Sequence, residues 1–584
     1  MSDQISHHTA RSADSSRVGT WRRPLSRVAL GIGALAGSAC DENYILRVSD
    51  SADSGHGSLR AAITAANAAS SSDHRRITIE LTAGTYELSS CGSDDANEAG
   101  DLDIVSALPV SLIAVGGQAT IRQTCAGERV LDARGGGALT LREITLTGGG
   151  LTGSDPAEIV SGGGLRATGD VNLERATITG NSAWGAAGLS AVAGGTVVNS
   201  GGARGGGLDV GGSLTATDST ISENAAVGGF GADAPDAEGW SAPGGPAEGG
   251  GAYVRASIQI VRGGVSDNRA YGGKAGSGQR FPSSGGTARG GGLAQAPDST
   301  GTLSVDGAQL INNLAQGGGS GEGGVPTANN TIPGRADAAG GGIAAPGPVT
   351  LRGVNASKNT AYGGPSFGCI GCAGSIAHGG ALHVASATIS DSQFSQNRSE
   401  GGSRVVCWSS STPPPPYTQC GPPPQPLVNY CPPYFCTSSC PDFCYYPPGT
   451  STCPPITTVS CIPSPAESAY GGAIWATGDI TLTATSSRED ITVGGYAITT
   501  AGKVTIDGGE FANAQQGLIE ASRADVRSAR IHDNARRGGS WFTVEGHAEL
   551  RDTEIYANGN AAMGFGDLLA YNVTIANNGV DFLN

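Results

Sequence analysis

Apolar residues recur along most of the chain in a pattern that is typical of short, stacked strands. The stretch "GGGLRATGDVNLERATITGN" at 162–181 returns with altered letters at 205–224, 249–268, 290–313, 340–359 and 379–397. Counted back from the asparagine that closes each copy, the tenth and eighth residues form two apolar columns, which is the two-residue period of one strand face. The third residue back forms another apolar column, so a second strand is predicted after a bend.

One such unit cannot bury its own apolar face, because nothing lies beneath it. Stacking the units about 4.8 Å apart gives each strand a parallel partner and fills the interior with aligned aliphatic columns. The pattern therefore predicts an all-β fold, a single-stranded right-handed parallel β-helix, in which Gly and Asn occupy the corners because they accept left-handed geometry. The asparagines predicted to form a corner ladder are Asn181, Asn224, Asn268, Asn313, Asn359 and Asn397.

Glycine-rich insertions separate the strong repeats, and we expect these side loops to leave the helix at the same edge of every coil. An example is "AVGGFGADAPDAEGWSAPGGPAEG" at 226–249. The predicted organisation is a leader segment (1–39), an N-terminal motif and cap (40–76), β-helix coils (77–402), a Pro/Cys-rich insert (403–465) and C-terminal coils (466–584).

The segment "SDSADSGHGSLRAAITAAN" at 49–67 resembles the N-terminal signature of exported bacterial β-helix proteins with a Cys-Ser-Leu-Arg-Glu-Ala-Ile motif. The chain departs from this motif at Gly57 and Ala61. The "GGGI/GGAL/GGAI" and "FSQN" repeats are also similar to the GGAI and FxxN repeats of chlamydial polymorphic outer-membrane proteins. The resemblance implies this fold and export, and it implies little about activity. The motif residues that the chain retains are Ser58, Leu59, Arg60, Ala62 and Ile63.

The same segment has the properties of a helical cap. Ser58 is a favourable N-cap residue, and Leu59, Ile63 and Ala66 lie on one face of a helix that begins after it. We expect this face to cover the open first coil, since an uncovered end would present free strand edges.

Residues 20–40 have the layout of a secretory signal, with a basic stretch, an apolar run and small residues. The ending "GSAC" resembles a lipoprotein box, in which Cys40 would carry the lipid anchor, although Gly37 stands where such boxes usually have leucine. The alternative is cleavage after Ala39 and soluble secretion. Both alternatives predict export, to the cell surface and outer membrane or to the medium, with membrane contact only through that lipid.

The cysteine count fits an oxidising compartment. If Cys40 is set aside, twelve of the 13 cysteines remain, enough for six disulfides. Zinc binding is the rival interpretation of the CxxC at 369–372, and we favour disulfides because no CxxC pair recurs. The candidates for disulfides are Cys91, Cys125, Cys369, Cys372, Cys407, Cys420, Cys431, Cys436, Cys440, Cys444, Cys453 and Cys461.

Composition limits the partners. The formal charge of −16 repels nucleic acid, and no basic patch stands against it. We expect a monomer. Exposed aromatic residues in the 403–465 insert suit contact with a sugar ring or a protein, while a rigid decoration without a ligand is the alternative. These binding candidates are Tyr417, Tyr430, Tyr434, Phe435, Tyr445 and Tyr446.

Candidate chemistry is sparse. Glu223 and Asp267 precede corner asparagines on neighbouring coils, with Arg269 close, which is compatible with a calcium site or an acid–base pair. A solvated corner column explains the same residues more simply. His378 and His383 flank a "GGAL" corner, and such a pair is more often incidental than a shared site. No cofactor is predicted, with calcium left open.

We interpret the chain as an exported cell-surface β-helix that acts as a non-catalytic adhesion or interaction scaffold for a surface glycan or protein. The alternatives are a β-helical polysaccharide lyase or glycoside hydrolase and a passive surface-coat component. A lyase or hydrolase would need carboxylates and bases clustered on one strand face, and the sequence does not place such a cluster.

Overall fold

The computed structural model describes most of residues 43–583, within one of two units into which the chain divides, 41–584. The internal segments outside the description are 93–95, 192–194, 236–238, 279–282, 322–334, 368–373, 410–458, 465–468, 494, 535–539, 560–562 and 579–581. No helix in the described part is long and apolar enough to cross a membrane.

The body of the molecule is a parallel β-helix, as the repeats predict. Its strands form three rows, and each strand pairs in parallel with the equivalent strand of the next coil; Leu214, for example, pairs with Ile258, which pairs with Leu303. The predicted right-handed coiling is the hand that connections between parallel strands adopt.

The first row, which follows the glycine corners and is called the elbow row below, comprises Leu102–Ile104, Leu131–Ala133, Leu165–Ala167, Leu208–Val210, Ala252–Val254, Leu293–Gln295, Ile343–Ala344, Leu382–Val384, Ile474–Ala476, Ile498–Thr500 and Ile519–Ala521. The second row comprises Asn43–Arg47, Arg76–Leu88, Val110–Gln123, Leu139–Arg142, Val171–Glu174, Leu214–Ser222, Ile258–Ser266, Leu303–Ile311, Pro348–Arg352, Ser386–Ser390, Ile480–Thr483, Lys503–Asp507, Arg523–Arg527, Phe542–Arg551 and Met563–Tyr571. The last two of these strands begin in the elbow row, which ends with Phe582–Leu583. The third row comprises Ile144–Thr147, Thr177–Thr179, Asn355–Ser357, Gln393–Ser395, Ser486–Arg488, Glu510–Ala512, Arg530–His532, Glu554–Tyr556 and Thr574–Ala576. Several longer strands of the second row continue into the third.

The predicted apolar columns form the core of the body. The register pairs their members coil by coil, and the side chains are almost fully buried. Ala356, the smallest residue of its column, lies between Leu310 and the larger Phe394. The core therefore depends on aliphatic burial, at roughly 1.5–3 kcal/mol for each fully buried large side chain. The three columns are Val171, Leu214, Ile258, Leu303, Val349 and Ala387; Leu173, Ala216, Ile260, Val305, Leu351 and Ile389; and Ile178, Ile221, Val265, Leu310, Ala356 and Phe394.

A short helix, α1 (Leu59–Asn67), covers the first coil, as expected. The Ser58 hydroxyl caps it by accepting a hydrogen bond from the backbone N–H of Ala61. Leu59, Ile63 and Ala66 are buried against the core.

The arginine of the N-terminal motif fixes this cap in place. The guanidinium of Arg60 is buried and donates to Asp53 at 2.8 Å. It also donates to the backbone carbonyls of Gly100 at 2.7 Å and of Asp101 at 2.9 Å. The Asp53 carboxylate in turn accepts from the backbone N–H groups of Ser89 and Ser90. One ion pair thus ties the helix to two loops of the first coils.

Asparagines line one corner as a buried ladder. Asn224 donates from its side-chain nitrogen to the Oδ1 of Asn268 at 3.0 Å, and its backbone N–H donates to the same oxygen at 3.1 Å. The left-handed conformation belongs to the residue before each asparagine, as at Glu223 (φ 57°) and Asp267 (φ 58°), and not to the asparagine itself. The expectation that asparagine takes this geometry was wrong, because its side chain is instead needed to satisfy the buried backbone of the corner.

The glycine-rich insertions all leave the β-helix at the same edge, as expected, and they stack into a second, ordered layer that we call the fin. Each insertion runs outward in one parallel sheet and returns in another. The outgoing strands are Gly150–Thr152, Ser182–Trp184, Ala225–Val227, Arg269–Tyr271, Leu314–Gln316, Thr360–Tyr362, Arg398–Glu400 and Ile491–Thr492. The returning strands are Val160–Ser161, Ala203–Arg204, Ala247–Glu248, Ala288–Arg289, Ala338–Ala339, Ala377–His378 and Ala469–Tyr470.

The interior of the fin is made of alanine methyl groups and glycine backbone. Alanines such as Ala226 and Ala247 are completely buried between the two sheets. Further out, backbone hydrogen bonds of 2.8 Å run from Gly286 to Gly273 and from Gly273 to Gly245, alternating between returning and outgoing segments. A Cβ on Gly286 would lie 1.8 Å from the carbonyl oxygen of Gly245, so only glycine permits this approach.

Two further features involve cysteines. The predicted disulfide chemistry is confirmed at Cys91 and Cys125, which are bonded to each other. A small sheet (Ser366–Phe367, Arg404–Ser409 and Val459–Ser464) borders the Pro/Cys-rich insert, and its antiparallel backbone register places Cys407 opposite Cys461. The remaining disulfide candidates lie outside the described residues, as does Cys40.

Candidate functional site

The outgoing sheet of the fin ends at Ile491–Thr492, and the next coil turns its corner without an outgoing fin strand. An open cleft of about 740 Å³ lies where the outgoing sheet ends, and we call it the ledge cleft. Its lining residues are Gln396, Glu489, Ile491, Asn513, Ala514, Gln515 and Asp533.

Two carboxylates reach this cleft from coils that are two steps apart. Glu489, Asn513 and Asp533 each occupy the left-handed position at the corner, with φ of 57°, 59° and 53°. Because neighbouring coils are spaced about 4.8 Å apart, the backbones of Glu489 and Asp533 are roughly 10 Å apart across Asn513. Glu489 accepts a hydrogen bond from the side-chain amide of Gln396 at 2.8 Å.

An imidazole supports the other carboxylate. The Nδ1 of His532 lies 2.7 Å from Asp533, and its Nε2 lies 2.8 Å from Glu510. The ring of His532 stacks on Tyr556 at 4.8 Å. Glu510 is also bound by Arg488, and the hydrogen bonds from His532 and Arg488 lower the pKa of Glu510. His532 thus bridges Glu510 and Asp533 and holds the Asp533 carboxylate beside the cleft.

The candidates Glu223, Asp267 and Arg269 lie on the same corner further up the helix. Glu223 is exposed, and Asp267 accepts from the side chain of Asn312 at 2.6 Å. The guanidinium of Arg269 donates to the backbone carbonyls of Asn268 and Asn312. The structure thus places the two carboxylates on adjacent coils and directs the arginine to backbone oxygens.

The one group of three carboxylates close enough for a metal ion in the described part of the chain is Asp101, Asp103 and Asp132. All three are buried beside arginines. Arg129 lies 3.1 Å from Asp101, and Arg134 lies 2.7 Å from Asp103. Burial raises the pKa of Asp101 to about 7.

The third carboxylate of this group, Asp132, pairs with Arg166 on the next coil. Three arginines therefore balance three aspartates, and the group is an ion-pair network that has little charge left for a cation. Calcium binding at Glu223 and Asp267 stays a prediction.

Large apolar side chains are exposed near the outer end of the first fin coils. Leu189 is 57% exposed, Phe230 42% and Trp240 41%. The backbone brings them together, because Gly188 donates to the carbonyl of Phe230, and Ala191 exchanges two hydrogen bonds with Trp240. We call these three side chains the fin-tip patch. Trp184, on the coil of Leu189, and Ile159, on the preceding coil, are also exposed.

The aromatic candidates of the insert, Tyr417 to Tyr446, lie outside the described residues. Sequence reasoning singled out that insert for its aromatic content and overlooked Phe230 and Trp240. The available signal was the presence of large aromatic residues inside a glycine-rich insertion, where no core position calls for them.

Comparison with known proteins adds little. No protein-family model matches the chain, and no curated protein sequence is similar to it. Among solved structures, the family 28 exopolygalacturonase of Yersinia enterocolitica is 10% identical, with a TM-score of 0.21, over 93% of this chain and 79% of that chain. A TM-score this low carries no argument about substrate or mechanism.

Proposed function

We propose that this protein is an exported surface scaffold that binds a glycan through the fin-tip patch without cleaving it. The observation that carries the proposal is the exposure of Leu189, Phe230 and Trp240 on hydrogen-bonded segments of the fin. Exposed apolar clusters mark interaction surfaces, and aromatic rings stack on the apolar faces of sugars.

Two further features support a binding role. The side chains of the patch project from a layer whose backbone is held by hydrogen bonds between glycines of successive coils, so little conformational entropy is lost when a ligand docks. The disulfide between Cys91 and Cys125 suits an oxidising compartment, in agreement with the leader-like segment at 1–39.

The second candidate function is glycoside hydrolysis in the ledge cleft. Inverting glycosidases place two carboxyl groups roughly 6.5–9.5 Å apart. The backbones of Glu489 and Asp533 are about 10 Å apart, a spacing that allows their carboxyl groups to lie within this range. Asp533 is backed by His532, and Glu489 is held by Gln396. A lyase is less well supported here, because Arg488 already pairs with Glu510.

The test is to incubate the full chain with a panel of polysaccharides, with and without calcium, and to measure both retention and newly formed chain ends. We expect retention of one glycan class without new ends, and a loss of at least roughly tenfold in affinity in the double variant Phe230→Ser, Trp240→Ser. The matched control is Tyr571→Ser, which removes an exposed aromatic residue from the C-terminal coils and leaves retention unchanged.

Other outcomes assign the alternatives. New reducing ends that disappear in Asp533→Asn would establish the hydrolase and contradict the non-catalytic proposal. Failure to retain any glycan would overturn glycan binding and leave a protein ligand or a passive coat.

A further inference from the structure

Two histidines meet at a glycine corner of the fin. His378 ends the returning strand Ala377–His378, and His383 lies in the elbow-row strand Leu382–Val384. The chain reverses between them at Gly379, which has a φ of 64°. A Cβ at this position would lie 1.9 Å from the carbonyl oxygen of Leu382, so both the conformation and the close approach require glycine. The reversal brings the two imidazoles to one side of the corner, with ring centroids 5.7 Å apart.

The neighbouring coils place small side chains on one side of this pair and aromatic rings on the other. On the preceding coil, the residues in register with the histidines are Ala339 and Ala344, which add only methyl groups. On the following coil they are Tyr470 and Trp475. His378 stacks on Tyr470 at 5.5 Å, and His383 stacks on Trp475 at 4.5 Å. The aromatic rings below therefore fix the planes of both imidazoles.

Burial favours the neutral form of both imidazoles, and each has a ring nitrogen with no hydrogen-bond partner among the described residues. Burial lowers the pKa of His378, and it lowers the pKa of His383 to about 3. The Nδ1 atoms of both rings are buried and make no hydrogen bond with the described residues. An unsatisfied buried polar atom costs about 1–3 kcal/mol, so one such atom on each of two neighbouring imidazoles favours an occupant at this corner.

The nearby charges leave room for a cation. The negative charge of Asp337 opposes the lowering of the pKa of His378, and the positive charge of Arg289 adds to the lowering of the pKa of His383. The charge of Arg289 is offset by Glu248, 3.3 Å away.

We propose that His378 and His383 bind a borderline transition-metal dication, Zn²⁺, Ni²⁺ or Cu²⁺, through their imidazole nitrogens. Neutral imidazole is the side chain that these ions prefer, whereas Ca²⁺ and Mg²⁺ take oxygen ligands. At a metal–nitrogen distance of about 2.0–2.1 Å, two imidazoles on one ion have ring centroids roughly 5–6 Å apart, which the observed pair matches. The two imidazoles supply two ligands, and water would complete the coordination.

Trp475 gives a local readout for the test. The full chain is titrated with Ni²⁺, Cu²⁺ and Zn²⁺ separately, by calorimetry and by tryptophan fluorescence. We expect one ion per chain at this pair, quenching by Ni²⁺ or Cu²⁺ because Trp475 stacks on His383, and reversal of the quenching by excess Zn²⁺. Trp475→Phe should keep the binding and lose this quenching.

The variants His378→Gln and His383→Gln are each expected to weaken binding by at least roughly tenfold. The matched control is His547→Gln, which removes an exposed histidine bonded to Asp567 and should leave the titration unchanged. Thermal melting and circular dichroism confirm that each variant remains folded. Binding of unchanged affinity in the double His378→Gln, His383→Gln variant, or no binding of any of the three ions to the native chain, would overturn the proposal.

Discussion

The body and the fin stack the same coils by different means. In the body, each coil contributes large aliphatic side chains such as Leu351 and Ile389 to continuous buried columns. In the fin, the buried side chains are mostly alanine methyl groups, and beyond them glycines of alternate segments hydrogen bond directly to one another. A methyl group contributes about 0.8 kcal/mol on burial, far less than a leucine side chain.

The fin must therefore rely on close backbone contact and on satisfied backbone hydrogen bonds. The two regions should respond oppositely to changes in side-chain size. The body should tolerate added atoms at a glycine that has space and lose stability when large side chains are removed. The fin should lose stability when a single methyl group is added.

The largest effect is expected for Gly286→Ala in the fin. Its new Cβ would lie 1.8 Å from the carbonyl oxygen of Gly245, so the stacked segments must separate and the hydrogen bond to Gly273 is lost. We expect destabilisation of about 4 kcal/mol, measured as increased hydrogen exchange of the fin amides and a lower melting temperature.

The control for this variant is Gly264→Ala in a body strand, where the nearest atom to a new Cβ is 3.9 Å away. This change should be neutral or slightly stabilising, because it restricts the unfolded chain. Equal effects of the two substitutions would contradict the distinction between fin and body.

The reverse experiment removes a large side chain from the body. Leu351→Ala leaves a cavity in a column that continues through Val305 above and Ile389 below. We expect a loss of about 3 kcal/mol in the free energy of unfolding, measured by chemical denaturation. Leu189→Ala, at the exposed fin tip, is the matched control and should change stability little. A loss at Leu189 as large as that at Leu351 would show that the fin tip is buried in solution.

The sequence was sufficient to predict the body because its evidence is local. A two-residue apolar period and a fixed distance to an asparagine recur within each coil, and the columns they predict are the buried columns of the structure. The cap could be predicted equally well, since Ser58 and the apolar face of α1 lie within nine residues of the sequence.

The ordered stacking of the fin could not be predicted from the sequence in the same way. Glycine has no side chain that could show a period, and the bonds that order the fin join insertions from different coils, as between Gly245 and Gly273. Such segments look like flexible loops in sequence, and they were predicted only as loops that leave at one edge.

The ledge cleft depends on a similar non-local fact, the place where the fin ends. In the sequence, Glu489 and Asp533 are ordinary polar residues before a corner. Only the end of the outgoing sheet beside them makes them part of a cleft. One signal was available: one bare coil later, Glu510 pairs in register with Arg530, two residues before His532, so stacking the C-terminal repeats would have placed Glu510 and His532 close together.

The smallest predicted effect lies at the boundary between finned and bare coils, where Asp490 takes the place of a ladder asparagine. Its Oδ1 accepts from the backbone and side-chain nitrogens of Asn397, and its Oδ2 accepts from Ser487. The following coil has Ala514 at this position, which has no amide to continue the ladder. Complete burial raises the pKa of Asp490 to about 6.

A carboxyl whose pKa is raised on folding contributes stability below its unfolded value, near 3.8, and loses it as the pH rises through about 6. Asp490→Asn keeps the acceptor for Asn397 and removes the buried charge. We expect this variant to be more stable by about 2 kcal/mol at neutral pH and to melt with less pH dependence between about pH 4 and pH 7. Asp298→Asn, which removes an exposed carboxylate, should leave the pH profile unchanged. If Asp490→Asn instead melts lower at every pH, the bond from Ser487 outweighs the charge, and the acid stabilises the boundary coil, where the asparagine ladder is interrupted.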